Sequence, residues 1–145
     1  MDPLPEELIQ LKRFHGHLGP YVAVGYRMGL LARQRLEGKL IAVSFTGSKT
    51  PLSCIVDGIQ FSSTCTMGKG NIMIHDNGEA RAHFLSDTTL LDVKLDEDVQ
   101  KSIDENMSRE TEEATAVAIF NAPEEELFVV KAVESDLNSR ALKLK

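Results

Sequence analysis

The sequence predicts a single α+β domain in which helices pack on a mixed or antiparallel sheet. The chain has 145 residues, of which 42% are hydrophobic and 26% charged, as is typical of one globular domain with a hydrophobic core. Helical and extended patterns follow in the order α, α, β, α, β, β, β, α, β, and consecutive strands favour α+β over a doubly wound sheet. Because no repeat or linker divides the chain, we predict one domain over residues 1–145.

The first half of the chain predicts three helices and a strand. The helices cover residues 5–14, 20–36 and 52–63, and the strand covers residues 40–46. Two glycines and Pro20 within five residues predict a tight loop between the first two helices. Pro20 suits the first turn of the second helix, and Pro51 opens the third.

The second half predicts four strands and a long helical region. The strands cover residues 71–75, 80–85, 89–95 and 126–134, and the helical region covers residues 97–122. The Asn77-Gly78 pair predicts a hairpin between the first two of these strands. Asp96 suits the N-cap of the helical region, which we expect to break near Ser108 and to end at Pro123.

Charge and cysteine content limit the possible partners and compartment. The net charge is -6 and no basic cluster interrupts the acidic balance, so nucleic-acid binding is disfavoured. The first residues lack a signal-peptide pattern, and no apolar run is long enough to span a membrane. We therefore expect a cytoplasmic protein without a membrane partner, whose two cysteines are reduced.

The segment His15-Gly16-His17 is the first candidate site. Two imidazoles separated by one glycine can point the same way from an extended segment, and their loop leads into a helix N-terminus that favours neutral imidazole. Alternatively, one histidine packs against the turn while the other faces solvent, since short motifs often occur by chance.

Cys54 and Asp57 form the second candidate site. Cys54 falls in the first turn of its predicted helix, where free amides and the helix dipole favour a thiolate. Asp57 lies three residues later and shares its face, while Gly58 inside a helix indicates a close backbone approach. The alternative is a buried structural cysteine with Asp57 hydrogen-bonded nearby.

The third candidate is the glycine-rich segment 63–71, in which Lys69 lies between two glycines. It lacks the spacing of a phosphate-binding P-loop, so Lys69 is either an anion contact or an ordinary exposed lysine.

Cys65 would lie roughly 16 Å from Cys54 along a continuous helix. One metal ion would then not bind both sulfurs, and Cys54 is the better ligand.

Three ordered patches resemble the FmdE family, the family of the formylmethanofuran dehydrogenase E subunit. They are residues 14–20 (FHGHLGP) with 25–28 (GYRM), residues 54–60 (CIVDGIQ) and residues 63–71 (STCTMGKGN). The resemblance extends over about residues 5–134. It implies an α+β core, often a homodimer, with a site where the histidine motif meets the cysteine helix. Glycines within the predicted helices, at 25, 29 and 58, are weak further signs of close packing at a dimer interface.

The chain departs from that family in two ways. The family pattern reads His-Gly-His-x-Cys-Pro, but Gly19 stands here in place of the cysteine. Many members also carry a cysteine-rich zinc finger after the core, whereas no cysteine follows Cys65 here. The methanogenesis-related oxidation of formylmethanofuran uses a molybdenum or tungsten pterin held by other subunits, so kinship alone does not transfer that activity.

Three functions remain open from the sequence. The first is a metal-binding accessory protein in which His17, Cys54 and also His15 hold zinc or another divalent transition metal, with Asp57 orienting a ligand or accepting a proton. The second is a hydrolytic or redox enzyme with Cys54 and Asp57 as catalytic candidates. The third is a non-catalytic interaction subunit of a redox complex.

Overall fold

The structure, a computed structural model, describes residues 3–134 of the chain. Its helices are α1 (Glu6–His15), α2 (Pro20–Arg35), α3 (Cys54–Ser63), α4 (Glu97–Asn106), α5 (Glu112–Asn121) and α6 (Glu124–Leu127). Its strands are β1 (Ile41–Ser44), β2 (Ile72–Ile74), β3 (Arg81–Leu85), β4 (Thr89–Leu95) and β5 (Phe128–Glu134). The predicted α+β class is confirmed. The remaining parts of the predicted 1–145 domain, residues 1–2 and 135–145, lie outside the described residues.

The sheet has the strand order β2-β1-β3-β4-β5, and only the β1–β2 pair is parallel. The predicted hairpin between β2 and β3 is therefore wrong, because β1 lies between them. Val43 of β1 is in register with Met73 on one side and His83 on the other. Three of the four β1 residues are buried, and a buried strand needs partners for its backbone on both edges. Gly78 still adopts a left-handed turn conformation, with φ of 67°.

Local signals around the later helices agree with the structure, apart from the start of the last strand. The carboxylate of Asp96 accepts a hydrogen bond from the backbone N–H of Val99 at 3.1 Å, as expected of an N-cap. The expected break separates α4 from α5. The predicted strand 126–134 begins only at Phe128, because residues after Pro123 form the helical turn α6. Acidic residues favour such a first turn.

Helices α2 and α3 run in the same direction with their backbones in contact. A Cβ atom added at Gly25 would lie 2.0 Å from the carbonyl oxygen of Ile55, and one at Gly58 would lie 2.2 Å from that of Val22. Only glycine permits this approach. The glycines are thus explained by packing within the chain and do not support a dimer interface. The contact places the start of α3, Cys54, beside the start of α2.

Helix α5 also packs against α2. Arg27 on α2 donates hydrogen bonds to three carbonyl oxygens at the end of α5, those of Ile119, Phe120 and Ala122. A cation at this position satisfies carbonyl groups that have no partner in the helix. Within residues 3–134, each helix is too short or too polar to cross a membrane.

Candidate functional site

The two histidines of the first motif are brought together by a glycine turn. His15 is the last residue of α1, and Gly16 follows in a left-handed conformation with φ of 101°. The chain therefore bends at Gly16 and His17 instead of running extended as predicted. Their ring centroids lie 4.6 Å apart. The two rings thus lie side by side although the backbone between them is bent, and their role as metal ligands stays a prediction.

His15 is held by Asp57 on helix α3. Its Nδ1 lies 2.6 Å from the Oδ2 atom of Asp57, and its side chain is only 10% exposed. The other ring nitrogen, Nε2, is buried and has no hydrogen-bond partner among the described residues. In a neutral imidazole, a carboxylate on Nδ1 favours the tautomer in which that nitrogen carries the proton and Nε2 keeps its lone pair. His15 thus presents a buried ring nitrogen without a hydrogen-bond partner among residues 3–134.

Cys54 is the first residue of α3 and is partly buried. Burial raises the pKa of its thiol, and the negative charges of Asp57 and Glu112 raise it further. The expectation that Cys54 favours a thiolate is therefore wrong for the metal-free protein, because desolvation and two nearby carboxylates all disfavour the charged form. Cys65 is fully buried, and its thiol donates to the carbonyl oxygen of Leu40 at 3.5 Å, as a structural cysteine does.

These side chains line a small cavity of about 80 Å³ between the starts of α2, α3 and α5. His17 is exposed, so the cavity can be reached from solvent on that side. The residues that line it are His15, His17, Gly19, Pro20, Tyr21, Val22, Pro51, Cys54, Met107 and Glu112. The structure therefore brings the histidine motif and the start of the cysteine helix to one cavity, which is where the family resemblance implied a site.

Tyr21 and Glu112 belong to the cavity but were not predicted from the sequence. The hydroxyl of Tyr21 donates to Asp104 at 2.5 Å, which links α2 to α4, and burial together with Asp104 raises the Tyr21 pKa. Glu112 lies in an acidic stretch that resembles an ordinary solvated helix start. Only the packing of α5 against α2 distinguishes it from its neighbours.

Lys69 is not part of this cavity. It lies in an exposed turn, where its backbone N–H donates to the hydroxyl of Thr66 at 3.3 Å. Its role as an anion contact stays a prediction.

The donor atoms of the cavity are near one another but not gathered around a point. Within the described part of the chain, no group of three or more His, Cys, Asp or Glu side chains has the spacing of a metal site. A metal would have to draw its ligands together by side-chain rotation.

Comparison with known proteins agrees with this architecture. The model of the family described as "FmdE, Molybdenum formylmethanofuran dehydrogenase operon" matches residues 14–129. The chain belongs to the FmdE family. The match begins one residue before His15 and extends into β5, so it includes every residue that lines the cavity.

Two individual proteins are also similar to this FmdE-family chain. A protein of Archaeoglobus fulgidus, described as a probable S-adenosyl-L-methionine-binding protein, is 32% identical over 77 residues. That alignment covers 50% of this chain but only 21% of the Archaeoglobus protein. The crystal structure of a tungsten formylmethanofuran dehydrogenase FmdE-like protein from Syntrophus aciditrophicus superposes with a TM-score of 0.65 at 21% identity. It covers 90% of this chain and 71% of that one, and it shows a shared fold.

Proposed function

We propose that this chain is an FmdE-type accessory protein that holds one divalent transition metal, preferentially zinc, through His15, His17 and Cys54. The observation that carries the proposal is the buried Nε2 of His15, which has no partner among residues 3–134, while its Nδ1 is held by Asp57. Metal-binding histidines commonly donate their second ring nitrogen to a carboxylate in this way. Buried polar atoms without a partner are rare and call for an explanation.

The chemistry of the three donors fits a borderline-soft ion. Zinc binds imidazole nitrogen at about 2.0–2.1 Å and cysteine sulfur at about 2.3 Å. Nickel and iron accept the same atoms. Although the thiol of Cys54 has a raised pKa in the metal-free protein, a bound cation stabilises the thiolate and displaces its proton. Zinc binding should therefore release a proton and weaken as the pH falls.

The size of the cavity also favours a metal ion over an organic cofactor. Its volume of about 80 Å³ admits an ion with a few water-sized ligands. Pockets that enclose a drug-sized molecule are larger, about 300–1,000 Å³. A small inorganic ligand therefore suits this cavity better than a nucleoside such as S-adenosylmethionine.

Family membership supports the proposed role beside a redox complex and the proposed homodimer. An FmdE-family protein associated with a formylmethanofuran dehydrogenase operon would act beside the subunits of a cytoplasmic redox complex. We also propose a homodimer, which family membership supports and the helix glycines do not. A light-scattering mass near the 16.0 kDa of one chain at micromolar concentration would contradict the dimer.

The metal site is tested by zinc titration and elemental analysis of untagged protein. Wild type should bind one zinc per chain, whereas His15→Ala, His17→Ala and Cys54→Ser should each bind far more weakly, because affinity depends on ligand number and geometry. His75→Ala is the matched control, since His75 is exposed and lies outside the cavity. Full zinc occupancy in both His15→Ala and Cys54→Ser would refute the ligand set.

A further inference from the structure

We propose that a second copy of this chain binds to the outer face of the β-sheet, an inference that rests on the homodimer proposed above. The outer face is the side that carries Ile41 of β1 and Val133 of β5, which are 46% and 56% exposed. The inner face carries the alternate positions, where Phe84, Leu91 and Val93 are at most 2% exposed in a core shared with the helices. Within residues 3–134, the outer face is therefore the side of the sheet that is open to a partner.

One row of residues across the outer face is entirely apolar. Its members are successive cross-strand partners on β1, β3, β4 and β5, namely Ile41, Leu85, Leu90 and Val133. A sheet face that meets water normally carries polar side chains at these positions. Contiguous apolar patches on the surface of a soluble protein commonly mark an interaction site. The row therefore indicates that the outer face is a contact surface.

Several charges on the outer face are already paired within one copy. Arg81 pairs with Asp92 at 2.7 Å and with Glu79 at 3.5 Å. Lys94 pairs with Glu97 at 3.2 Å. The helices α4, α5 and α6 instead begin with acidic first turns, and each chain carries a net charge of -6. Because like charges oppose association, a second copy meets less repulsion at the outer face than at these helix ends.

The outer face is also large enough for a reversible dimer. The sheet has five strands, of three to seven residues each. At the usual strand spacing and rise, its flat area is about 400 Å², and the projecting side chains make the accessible area larger. A standard interface buries about 800 Å² of accessible surface per partner, and a transient one buries less. The face therefore suits a dimer that dissociates at measurable concentrations.

A symmetric dimer can use the apolar row on both sides of its interface. Most homodimers have two-fold symmetry, in which the same patch of each copy meets the other. A two-fold axis parallel to the row would set it against the same row of the partner, and sheets packed in this way lie about 10 Å apart. The cavity that holds His15 and Cys54 takes no lining residue from the outer face. Dimerisation and metal binding are therefore independent in this arrangement.

The test is sedimentation equilibrium of the full chain, which measures the dissociation constant of the dimer. Ile41→Glu and Val133→Glu place a charge at either end of the apolar row. Each should raise the dissociation constant by about tenfold or more, because a symmetric interface would bury two such charges. Met67→Glu is the matched control, since Met67 is 58% exposed in the turn after α3 and its variant adds the same charge away from the sheet.

A control for folding accompanies these variants. Far-UV circular dichroism should match wild type for each of them, because the replaced side chains are exposed in one copy. Should a glutamate variant fail to fold, Val133→Thr replaces it, since threonine keeps the shape and strand preference of valine. Its hydroxyl should weaken the dimer by a smaller factor, and an unchanged dissociation constant there would contradict the assignment.

The outcomes separate this inference from the homodimer and from the metal site. A dimer that survives both glutamate variants would overturn the assignment of the outer face and leave the homodimer standing. A loss in Val133→Glu alone would indicate pairing through the free edge of β5, since Ile41 lies three strands away, and would also overturn it. An equal loss in Met67→Glu would show an effect of net charge and have the same consequence.

A monomeric wild type would contradict the homodimer and this inference together. The outer face would then be covered by another segment of the chain or by another protein. Zinc titration of the same sample would still decide the metal site, because the two proposals depend on different residues.

Discussion

Two histidine–aspartate pairs lie in different parts of residues 3–134, and in only one of them is the second histidine nitrogen buried without a partner. His15 meets Asp57 in the helical cavity at 2.6 Å, and His83 meets Asp92 on the sheet at 3.1 Å. In the helical pair, the second histidine nitrogen is buried without a partner among residues 3–134. The same two residue types therefore form a potential ligand in one region and an ion pair shared with an arginine in the other.

The difference lies in what else contacts the aspartate. Arg81 donates two hydrogen bonds to Asp92, at 2.7 and 2.8 Å, and so neutralises the carboxylate that His83 contacts. The ring of His83 also packs edge-on against Phe45, with centroids 4.6 Å apart. In the described part of the chain, Asp57 has no comparable cation, and beyond His15 only the amide of Gln60 reaches it, at 3.4 Å. Its charge acts mainly on His15, which makes the free nitrogen a better electron-pair donor.

The largest expected effect comes from breaking the helix contact that builds the cavity. Gly58→Ala would place a Cβ atom 2.2 Å from the carbonyl oxygen of Val22 and 2.4 Å from the backbone nitrogen of Tyr26. Because rigid backbone surrounds the new atom, the free energy of unfolding should fall by about 3 kcal/mol or more. Urea denaturation measures this change in the free energy of unfolding. Gly68→Ala is the control, since nothing lies within 4 Å of its added Cβ, and an equal loss there would contradict the account.

The next effect distinguishes the two aspartates by zinc affinity. Asp57→Asn keeps the shape of the side chain but removes the charge that orients and polarises His15, so zinc affinity should fall by about tenfold or more. Asp92→Asn, which alters the sheet pair, should leave zinc affinity unchanged. Calorimetric titration of both variants checks this. Equal zinc affinities for the two variants would contradict the conclusion that the His15–Asp57 pair, and not the His83–Asp92 pair, supports the metal.

The free energy of unfolding should instead depend on Asp92 more than on Asp57, and the contribution of Asp92 should vary with pH. Hydrogen bonds from Arg81 hold the pKa of Asp92 below its usual range, with a further contribution from His83. A depressed pKa stabilises the fold above the unfolded value of about 3.9, and this contribution is lost as pH falls through the lower folded value. At pH 7, Asp92→Asn should lower the free energy of unfolding by about 1–3 kcal/mol. The difference from wild type should shrink below about pH 3.9, as urea titrations would show.

The smallest effect concerns the thiol in the cavity. Since burial and then the charges of Asp57 and Glu112 raise the pKa of Cys54, metal-free protein should react with iodoacetamide at pH 7 more slowly than the denatured chain does. Glu112→Gln removes one of these charges and should raise the rate by less than about tenfold, which corresponds to one pKa unit. Mass spectrometry of the Cys54 peptide measures the rate. A slower reaction in Glu112→Gln would contradict the conclusion that the charge of Glu112 raises the pKa of Cys54.

Local signals in the sequence predicted most elements but not the strand pairing. Pro20 at the first turn of α2 and Asp96 at the cap of α4 act within a few residues of their own positions, so they can be read directly. The insertion of β1 between β2 and β3 depends on residues far apart in the chain, such as Val43 with Met73 and His83. The Asn77-Gly78 pair predicted a turn, which exists, but not which strands the turn brings together.

The site was partly predictable for a similar reason. His15, His17 and Cys54 belong to rare residue types in unusual contexts, and the structure brings all three to one cavity. Glu112 is one of several glutamates in an acidic stretch, and no sequence signal distinguishes it from Glu113. Only tertiary packing reveals that one glutamate faces the cavity and the other a surface lysine. The thiol pKa was also beyond sequence reasoning, because it depends on burial and on a carboxylate from a distant helix.

X-ray absorption at the zinc edge of the zinc-loaded full chain tests the central claim most directly. The account predicts one sulfur neighbour at about 2.3 Å and nitrogen or oxygen neighbours at about 2.0–2.2 Å. The sulfur shell should disappear in Cys54→Ser. A wild-type spectrum without sulfur, or a sulfur shell that persists in Cys54→Ser, would contradict a metal site built on His15, His17 and Cys54.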